Sequence, residues 1–408
     1  MSTLTGLGGT FQRSVVPGAQ RGESVAQRRP NKKAAGPWKA RILIAPGLEA
    51  ALVTELDQLG ITAFPEKGAA LAQLDAAAMD RLHRHSRLSA RVTVHLGTVG
   101  AQSLDMLADR TRKLPWSRYV HPNQPLEVRV TAHKSRLRNR DAVGQKVKFA
   151  VTDALRGPRR PGPRPPREPA IVFVRIDQDK ATIQMDASGE LLHRRGWRHN
   201  PGGAPIRENI AAAVLQLAGW RPGIPLDDPM TGSGTFAIEA AQWAMAIPCG
   251  DRRSYGYQRW PCWVAPAPQR STDVPDRKTT IIAADREQHR VTGAQQNARR
   301  AGVHGRIQWH HGELEERSAP PGPPGLVVLN PPWGERLGSR EAVAGLHARW
   351  SRHLQHHWPT WNVAVVAPDA GWPRKAWGSQ YTTAVKFSSG GQRVMLLTRP
   401  ACTPDDLF

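Results

Sequence analysis

From about residue 190 to its end, the chain alternates between short apolar segments and amphipathic helical segments. Strands that alternate with helices are typical of a parallel sheet. A parallel connection needs a long crossover, usually a helix, which a tight turn cannot supply. The last two apolar segments, Val385–Phe387 and Val394–Thr398, are joined by Ser-Ser-Gly-Gly, which predicts an antiparallel hairpin. The pattern therefore predicts an α/β fold with a mostly parallel, doubly wound sheet that ends in a hairpin.

The preceding part of the chain has shorter and less regular elements. Residues 38–190 predict an α+β module that contains a helix at Asp141–Leu155 and a hairpin formed by Ile171–Ile176 and Ala181–Asp186. Residues 1–37 are rich in Gly, Arg, Gln and Ser and have almost no apolar periodicity. We therefore expect these first residues to form a disordered basic tail.

Composition excludes several classes of protein. The chain has no stretch of about 18 uncharged apolar residues that could span a membrane. Its first twenty residues lack the apolar core of a signal peptide. Three cysteines among 408 residues cannot form a disulfide framework, which indicates a reducing compartment. We therefore expect a cytoplasmic protein with no membrane partner.

The net charge of +23 is the strongest compositional signal. A protein this basic usually binds a polyanion, most often nucleic acid, although a basic surface can also serve solubility. The stretch 129–167 holds twelve Lys or Arg residues and only two acidic ones, and it reads as a basic loop at His133–Arg140 followed by a helix. This stretch is the candidate binding surface, and the alternative is a solvated charged face. The candidate phosphate contacts are Lys134, Arg136, Arg138, Arg140, Lys146 and Lys148.

A glycine-rich turn lies between the first strand and the next helix of the α/β half. It reads DPMTGSGT over residues 228–235, and its glycines would let the backbone approach a ligand at the helix N-terminus. The segment lacks the Lys of a phosphate-binding P-loop and the third glycine of a dinucleotide fingerprint. The next two strands end in Asp285 and Glu313, which are placed to contact a ribose and an adenine. Asp285 lies about fifty residues beyond the glycines because a Pro/Trp-rich insertion occupies residues 248–278.

The sequence Asn330-Pro331-Pro332-Trp333-Gly334 follows the fourth strand of this half. Two prolines cannot continue a parallel strand, so they form a stiff loop at the edge where α/β folds bind ligands. The Asn330 amide oxygen and the Pro331 carbonyl supply two acceptors, and Trp333 supplies a ring that can stack on a base. This set suits an exocyclic base amine, whose two N–H groups it would hold. The plainer interpretation is a proline-rich loop without function.

These two motifs resemble those of class I S-adenosylmethionine-dependent methyltransferases that modify base amines. The run LLHRRGWRHNPGGAPIRENIAAAVLQLAGW, which leads into the glycine turn, is similar to bacterial 23S ribosomal RNA guanine-N2 methyltransferases that carry a THUMP domain. The resemblance covers about residues 38–399. It implies a ferredoxin-like plus THUMP RNA-binding module at 38–190 and a Rossmann-like, seven-stranded methyltransferase domain at 191–408.

The resemblance also implies roles for individual residues. The catalytic set would be Asn330, Pro331, Pro332 and Trp333. The residues that bind S-adenosyl-L-methionine would be Asp228, Pro229, Thr231, Gly232, Gly234, Asp285, Glu313 and Asn330. Three residues depart from the family pattern, because Thr231 replaces a Cys, Glu313 an Asp and Trp333 a Tyr.

Several alternatives stay open at this point. A tRNA guanine-N2 methyltransferase would share both halves, whereas a DNA base-amine methyltransferase would share only the catalytic motif. A non-catalytic RNA-binding assembly factor would need a broken cofactor site, and these motifs are intact. We expect no metal, because the adjacent pairs His310-His311 and His356-His357 point in different directions, and neither Cys249 nor Cys262 has a partner at zinc spacing.

Overall fold

The computed structural model describes residues 36–156, 164–199, 205–251, 253–267, 277–334 and 339–402. The predicted tail lies outside these residues, apart from its last two positions, and so does part of the insertion. The described strands form two seven-stranded sheets, one in each half of the chain. Among the described residues, no helix is long and apolar enough to cross a membrane.

The first sheet belongs to an α+β half, as the sequence predicts. Its strands are β1 (Trp38–Leu43), β2 (Ala63–Glu66), β3 (Ala69–Leu74), β4 (Arg91–Gly100), β5 (Leu126–His133), β6 (Ala170–Asp177) and β7 (Lys180–Asp186). Its helices are α1 (Glu49–Gln58), α2 (Ala76–His85), α3 (Leu104–Arg112) and α4 (Arg140–Ala154). The strand order is β2-β3-β1-β4-β7-β6-β5, and of these pairs only β5 and β6 run parallel. The predicted hairpin is therefore the β6–β7 pair, which lies between β4 and the edge strand β5 in a continuous sheet.

Helix α4 forms where the sequence predicts it, for two local reasons. The Asn139 side chain accepts a hydrogen bond from the Ala142 N–H at 3.0 Å, which caps the helix N-terminus. The apolar residues that recur at helical spacing are buried on one face. They are Val143, Val147, Ala150 and Val151.

The second sheet is the predicted α/β arrangement. Its strands are β8 (Leu226–Asp228), β9 (Ile281–Asp285), β10 (Gln308–His311), β11 (Leu326–Leu329), β12 (Asn362–Pro368), β13 (Thr382–Ser389) and β14 (Gln392–Arg399). Its helices are α5 (Glu208–Leu217), α6 (Thr235–Ala244), α7 (Gln288–Ala301), α8 (Arg340–His357) and α9 (Gly371–Trp377). The order is β10-β9-β8-β11-β12-β14-β13, with β8 to β12 parallel and the final hairpin antiparallel.

Strand β8 is the central strand of the parallel sheet. The chain places β9 and β10 on one side of β8, and then β11 and β12 on the other. The order therefore reverses between β8 and β11, where Val327 pairs with Asp227. Ligands of open α/β sheets bind outside the carboxyl ends of the strands at such a reversal. Both sequence motifs leave strands at this place.

The insertion after α6 packs against the first half of the chain. The Tyr257 hydroxyl donates to Asp80 Oδ1 at 2.9 Å, and the Tyr255 hydroxyl donates to a backbone carbonyl of α2 at 2.8 Å. The Trp260 ring lies 5.9 Å from that of Trp38 and 5.1 Å from that of Tyr119. All of these aromatic rings are buried. The insertion, which follows α6, therefore links the second half of the chain to the first through a shared apolar core.

Candidate active site

The glycine-rich loop leaves β8 and enters α6 through two glycines with positive φ, +54° at Gly232 and +83° at Gly234. A Cβ at Gly234 would lie 3.1 Å from both Ala294 Cβ and Ile238 Cδ1, so this position must stay small for α6 to pack on α7. A Cβ at Gly232 would meet nothing within 4 Å. The Gly232 backbone therefore borders open space that a ligand can occupy.

Asp228 is fully buried at the start of this loop. The Thr231 hydroxyl donates to its Oδ2 at 2.8 Å, whereas Oδ1 is buried without a well-formed hydrogen bond among the described residues. Burial raises the pKa of Asp228 to about 8; the Thr231 hydrogen bond lowers it, and the nearby carboxylates of Asp227 and Asp285 raise it further. A buried acceptor that lacks a good partner is unusual, and here it lies beside the open loop.

Asp285 ends β9 directly against the same loop. Its Oδ2 accepts from the Gly232 N–H at 3.0 Å, and its Oδ1 accepts from the Glu287 N–H at 3.1 Å. The Thr231 N–H donates to the Ala284 carbonyl at 2.8 Å, which ties the loop to β9 a second time. The insertion therefore does not separate Asp285 from the glycines. Each carboxylate oxygen keeps a lone pair with which to accept a ribose hydroxyl.

Glu313 occupies the equivalent place after the neighbouring strand. His311, the last residue of β10, pairs with Asp285, and the Gly312 N–H donates to the Asp285 carbonyl at 3.2 Å. Glu313 itself is exposed, at the start of the short turn Leu314–Glu316. Its carboxylate accepts from the Glu316 N–H in a capping box, so contact with an adenine stays a prediction.

Asn330 and the two prolines follow β11 on the other side of β8. The Asn330 side chain is half-buried, and its amide makes no hydrogen bond with any residue that the structure describes. The Pro331 carbonyl likewise receives no backbone hydrogen bond within the described ranges. Neither predicted acceptor is therefore engaged by a hydrogen bond from a described residue.

The rest of this loop is anchored by side chains. The Trp333 indole N–H donates to the Val366 carbonyl of β12 at 3.2 Å, and its ring is half-buried against the core. The Pro332 carbonyl lies 3.1 Å from Nε2 of His347 on α8. The hydrogen bond from the indole N–H fixes the orientation of the Trp333 ring. Because the ring is half-buried, a base could stack on one face of it.

Two residues that the sequence interpretation did not select support the glycine loop. Asn297 on α7 donates from Nδ2 to the Ser233 carbonyl at 3.0 Å. Arg198 donates from Nη2 to the Thr235 hydroxyl at 3.0 Å and from Nε to Glu208 at 3.0 Å. Arg198 lies in the HRRGWRHN run that carries the family resemblance, so the sequence pattern could have identified it. Asn297 carries no local signal, because its role depends on a contact between helices.

The basic stretch forms a cavity of about 540 Å³ at one end of the first sheet. Arg136 in this cavity is paired with Asp179 at 3.3 Å. Lys146 instead forms an ion pair with Asp105 at 2.7 Å, and Lys148 is exposed on α4 outside the cavity. The structure thus brings together four of the six candidate phosphate contacts and separates the other two. The four that line the cavity are Lys134, Arg136, Arg138 and Arg140.

The chain is similar to known methyltransferases over most of its length. Residues 195–389 match the family model of the RMKL-like methyltransferase domain. A ribosomal RNA large subunit methyltransferase K/L from Methylococcus capsulatus is 36% identical over 338 residues, which are 78% of this chain. The match spans 45% of that relative, so this chain corresponds to less than half of its length.

Two crystal structures share the whole fold. The methyltransferase SMU.472, in complex with S-adenosylhomocysteine, superposes with a TM-score of 0.79 at 26% identity, covering 91% of this chain and 99% of that one. A predicted N6-adenine-specific DNA methylase from Listeria monocytogenes superposes with a TM-score of 0.78 at 29% identity, covering 90% of this chain and 97% of that one. Both likenesses include the first half as well as the second.

The site fits S-adenosyl-L-methionine, the cofactor of class I methyltransferases. The open backbone at Gly232, the buried acceptor of Asp228 and the carboxylate of Asp285 lie where its amino acid part and its ribose would bind. When bound, this cofactor supplies a methyl group on a positively charged sulfur. In the α/β half of this chain, residues 195–389 therefore match the RMKL-like methyltransferase domain, and the site geometry suits the cofactor of such domains.

Proposed function

We propose that this chain methylates the exocyclic N2 amine of a guanine in large-subunit ribosomal RNA. The observation that carries the proposal is the pair of acceptors at Asn330 Oδ1 and the Pro331 carbonyl, which have no partner among the described residues at the switch point of the sheet. The name of the Methylococcus relative supports ribosomal RNA as the substrate. The family resemblance of the sequence supports guanine N2 as the target atom.

Alignment of the reacting groups is what this site would contribute. Methyl transfer from a sulfonium is an in-line displacement that needs little acid or base help, so correct positioning dominates the rate. Asp228, Gly232 and Asp285 hold the donor. Asn330 and the Pro331 carbonyl accept the two N–H groups of the target amine, so that its lone pair faces the methyl group. The proton of the methylated amine leaves to solvent after transfer.

The target base must leave its stack to reach this loop. We propose that it is flipped out and lies on the exposed face of Trp333. Residues 38–190 would form the ferredoxin-like plus THUMP module and hold the RNA backbone through the basic cavity, while residues 191–408 form the catalytic domain. The reaction would take place in the cytoplasm, where ribosomal RNA is modified.

Methylation of another base amine is the alternative that a specific observation favours. The Listeria neighbour is described as a predicted N6-adenine-specific DNA methylase, and an adenine amine would fit the same two acceptors. A guanine in tRNA is the other rival. The Methylococcus relative, which is named as a ribosomal RNA methyltransferase, favours ribosomal RNA over both alternatives. Its identity of 36% also exceeds the 29% of the Listeria structure.

Asn330→Ala tests the proposed chemistry. We expect methyl transfer to fall on the order of 100-fold, because the amine loses one of the two groups that align it. Affinity for S-adenosylhomocysteine, measured by calorimetry, should fall far less than the rate, because Asp228, Gly232 and Asp285 would still hold the cofactor. Asn362→Ala is the matched control, since Asn362 lies at the amino end of β12, away from the catalytic loop, and its side chain accepts from the Ala401 N–H. Near-normal methylation by Asn330→Ala would refute the assignment.

A further inference from the structure

His347 on α8 is a fully buried histidine behind the catalytic loop. Its ring is surrounded by three tryptophans, with ring centroids 5.3 Å away for Trp350, 5.1 Å for Trp372 and 5.7 Å for Trp377. Both ring nitrogens have a partner. Nε2 lies 3.1 Å from the Pro332 carbonyl, and Nδ1 lies 3.2 Å from the indole Nε1 of Trp377.

These two partners determine which nitrogen carries the proton. An indole N–H can only donate, so Nδ1 of His347 must be the acceptor in its contact with Trp377. A neutral imidazole with an acceptor at Nδ1 carries its hydrogen on Nε2. His347 therefore donates from Nε2 to the Pro332 carbonyl. Burial lowers the pKa of His347, which keeps the ring neutral.

The catalytic loop needs such a donor because of its composition. Pro331 and Pro332 have no N–H, so this part of the loop cannot be tied to the sheet by backbone donation. Its two observed anchors are both side-chain donors, one from the Trp333 indole to the Val366 carbonyl and one from His347 to the Pro332 carbonyl. The first anchor joins the loop to β12 and the second joins it to α8. Both lie next to the acceptors that would align the amine.

We propose that His347 is a positioning residue for methyl transfer, which holds the Pro332 carbonyl and thereby the placement of Asn330 and the Pro331 carbonyl. Trp377 fixes the tautomer that makes this possible. The inference rests on the proposed function for its kinetic consequence, whereas the tautomer is a property of the folded protein alone. His347 touches neither substrate nor cofactor in this account.

Three variants test the role of His347 in the full chain. His347→Phe keeps a buried ring but removes the donor, and we expect kcat to fall at least tenfold with the dissociation constant of S-adenosylhomocysteine unchanged. His347→Gln can donate from its own Nε2, and we expect it to recover most of that loss. Trp350→Phe is the matched control, because it alters packing on the same ring and leaves the bond to Pro332 intact. Equal losses in His347→Phe and Trp350→Phe, or no recovery in His347→Gln, would overturn the proposal.

A second measurement does not depend on catalysis. Two-dimensional ¹⁵N–¹H spectra of the histidine rings should assign the neutral Nε2–H tautomer to His347 in the wild type. The Nδ1–H tautomer, or a ring that exchanges between the two, would overturn the proposal even if every variant lost activity. The kinetic series uses whichever base amine the wild type methylates, so a target other than guanine would refute the proposed function and leave the role of His347 standing.

Discussion

Asp228 is a buried side chain at the start of the glycine-rich loop. Its carboxyl group is removed from water, and the Thr231 hydroxyl donates a short hydrogen bond to it. The threonine, which replaces the cysteine of the family pattern, therefore has a specific role as the donor that holds Asp228. The sequence alone identified both positions, but the bond between them depends on the turn that the two glycines allow.

The pKa of Asp228 predicts how stability depends on pH. The unfolded carboxyl titrates near 3.8, whereas the folded one titrates at about 8. The folded state binds the proton more tightly, so its advantage is complete below the unfolded pKa and is lost as pH rises towards 8. We expect Asp228→Asn, which stays neutral, to lose less thermal stability than the wild type between about pH 5 and pH 8.

Melting temperatures without cofactor measure this difference. Asp57→Asn, on the exposed surface of α1, is the control for removal of a carboxyl group. Other buried carboxyl groups with raised pKa values, such as Glu55 and Glu208, are present in every variant and cancel in the comparison. Parallel curves for Asp228→Asn and the wild type would contradict the assigned pKa.

The turn between β8 and α6 combines two functions in neighbouring glycines. Gly234 permits close packing of α6 on α7, and Gly232 leaves the backbone open towards a ligand. Both have positive φ, so any side chain there strains the backbone by on the order of 1 kcal/mol or more. A Cβ at Gly234 would contact neighbouring side chains, whereas one at Gly232 would not. Substitutions at the two glycines should therefore have different effects on stability.

Alanine at each glycine tests this division of roles. We expect Gly234→Ala to lower the free energy of unfolding by about 1–3 kcal/mol, because strain adds to contacts with Ala294 and Ile238. Gly232→Ala should cost less stability but weaken S-adenosylhomocysteine binding. Urea unfolding and calorimetric titration measure the two effects. Unchanged binding by Gly232→Ala would show that the loop does not approach the cofactor.

Sequence periodicity was sufficient for most elements but not for their pairing. The helix α4, the alternating elements of the α/β half and the final hairpin follow from local spacing and turn residues. The continuous first sheet does not, because its order joins strands far apart in the sequence, as in the pair of β4 with β7. Such non-local pairs are selected by packing of whole faces, which a single sequence does not reveal.

In the whole molecule, the structure shows what the insertion contacts and where the basic residues gather, neither of which composition predicts. The insertion, whose role the sequence did not predict, joins the two halves through Tyr255, Tyr257 and Trp260. Some of the basic residues are engaged within the fold, since Lys146 pairs with Asp105. Net charge alone cannot separate such internal pairs from cations that remain available to a polyanion.

The cavity predicts a local effect of charge on RNA binding. Arg138→Glu should weaken binding and reduce the slope of log affinity against log salt by about one, because one phosphate contact is lost. Lys148→Glu makes a similar change of charge outside the cavity, and we expect a slope close to that of the wild type. Filter binding across a salt series measures both. An identical response of the two variants would indicate a diffuse basic surface instead.

A single experiment can identify both the base and the nucleic acid that the chain methylates. The wild-type chain is incubated with tritiated S-adenosyl-L-methionine and, separately, 23S RNA, 16S RNA, tRNA and DNA, and the labelled product is digested to nucleosides for mass spectrometry. We expect N2-methylguanosine, with 23S RNA as the preferred substrate. N6-methyladenine, or a methylated base found mainly in DNA or tRNA, would contradict it.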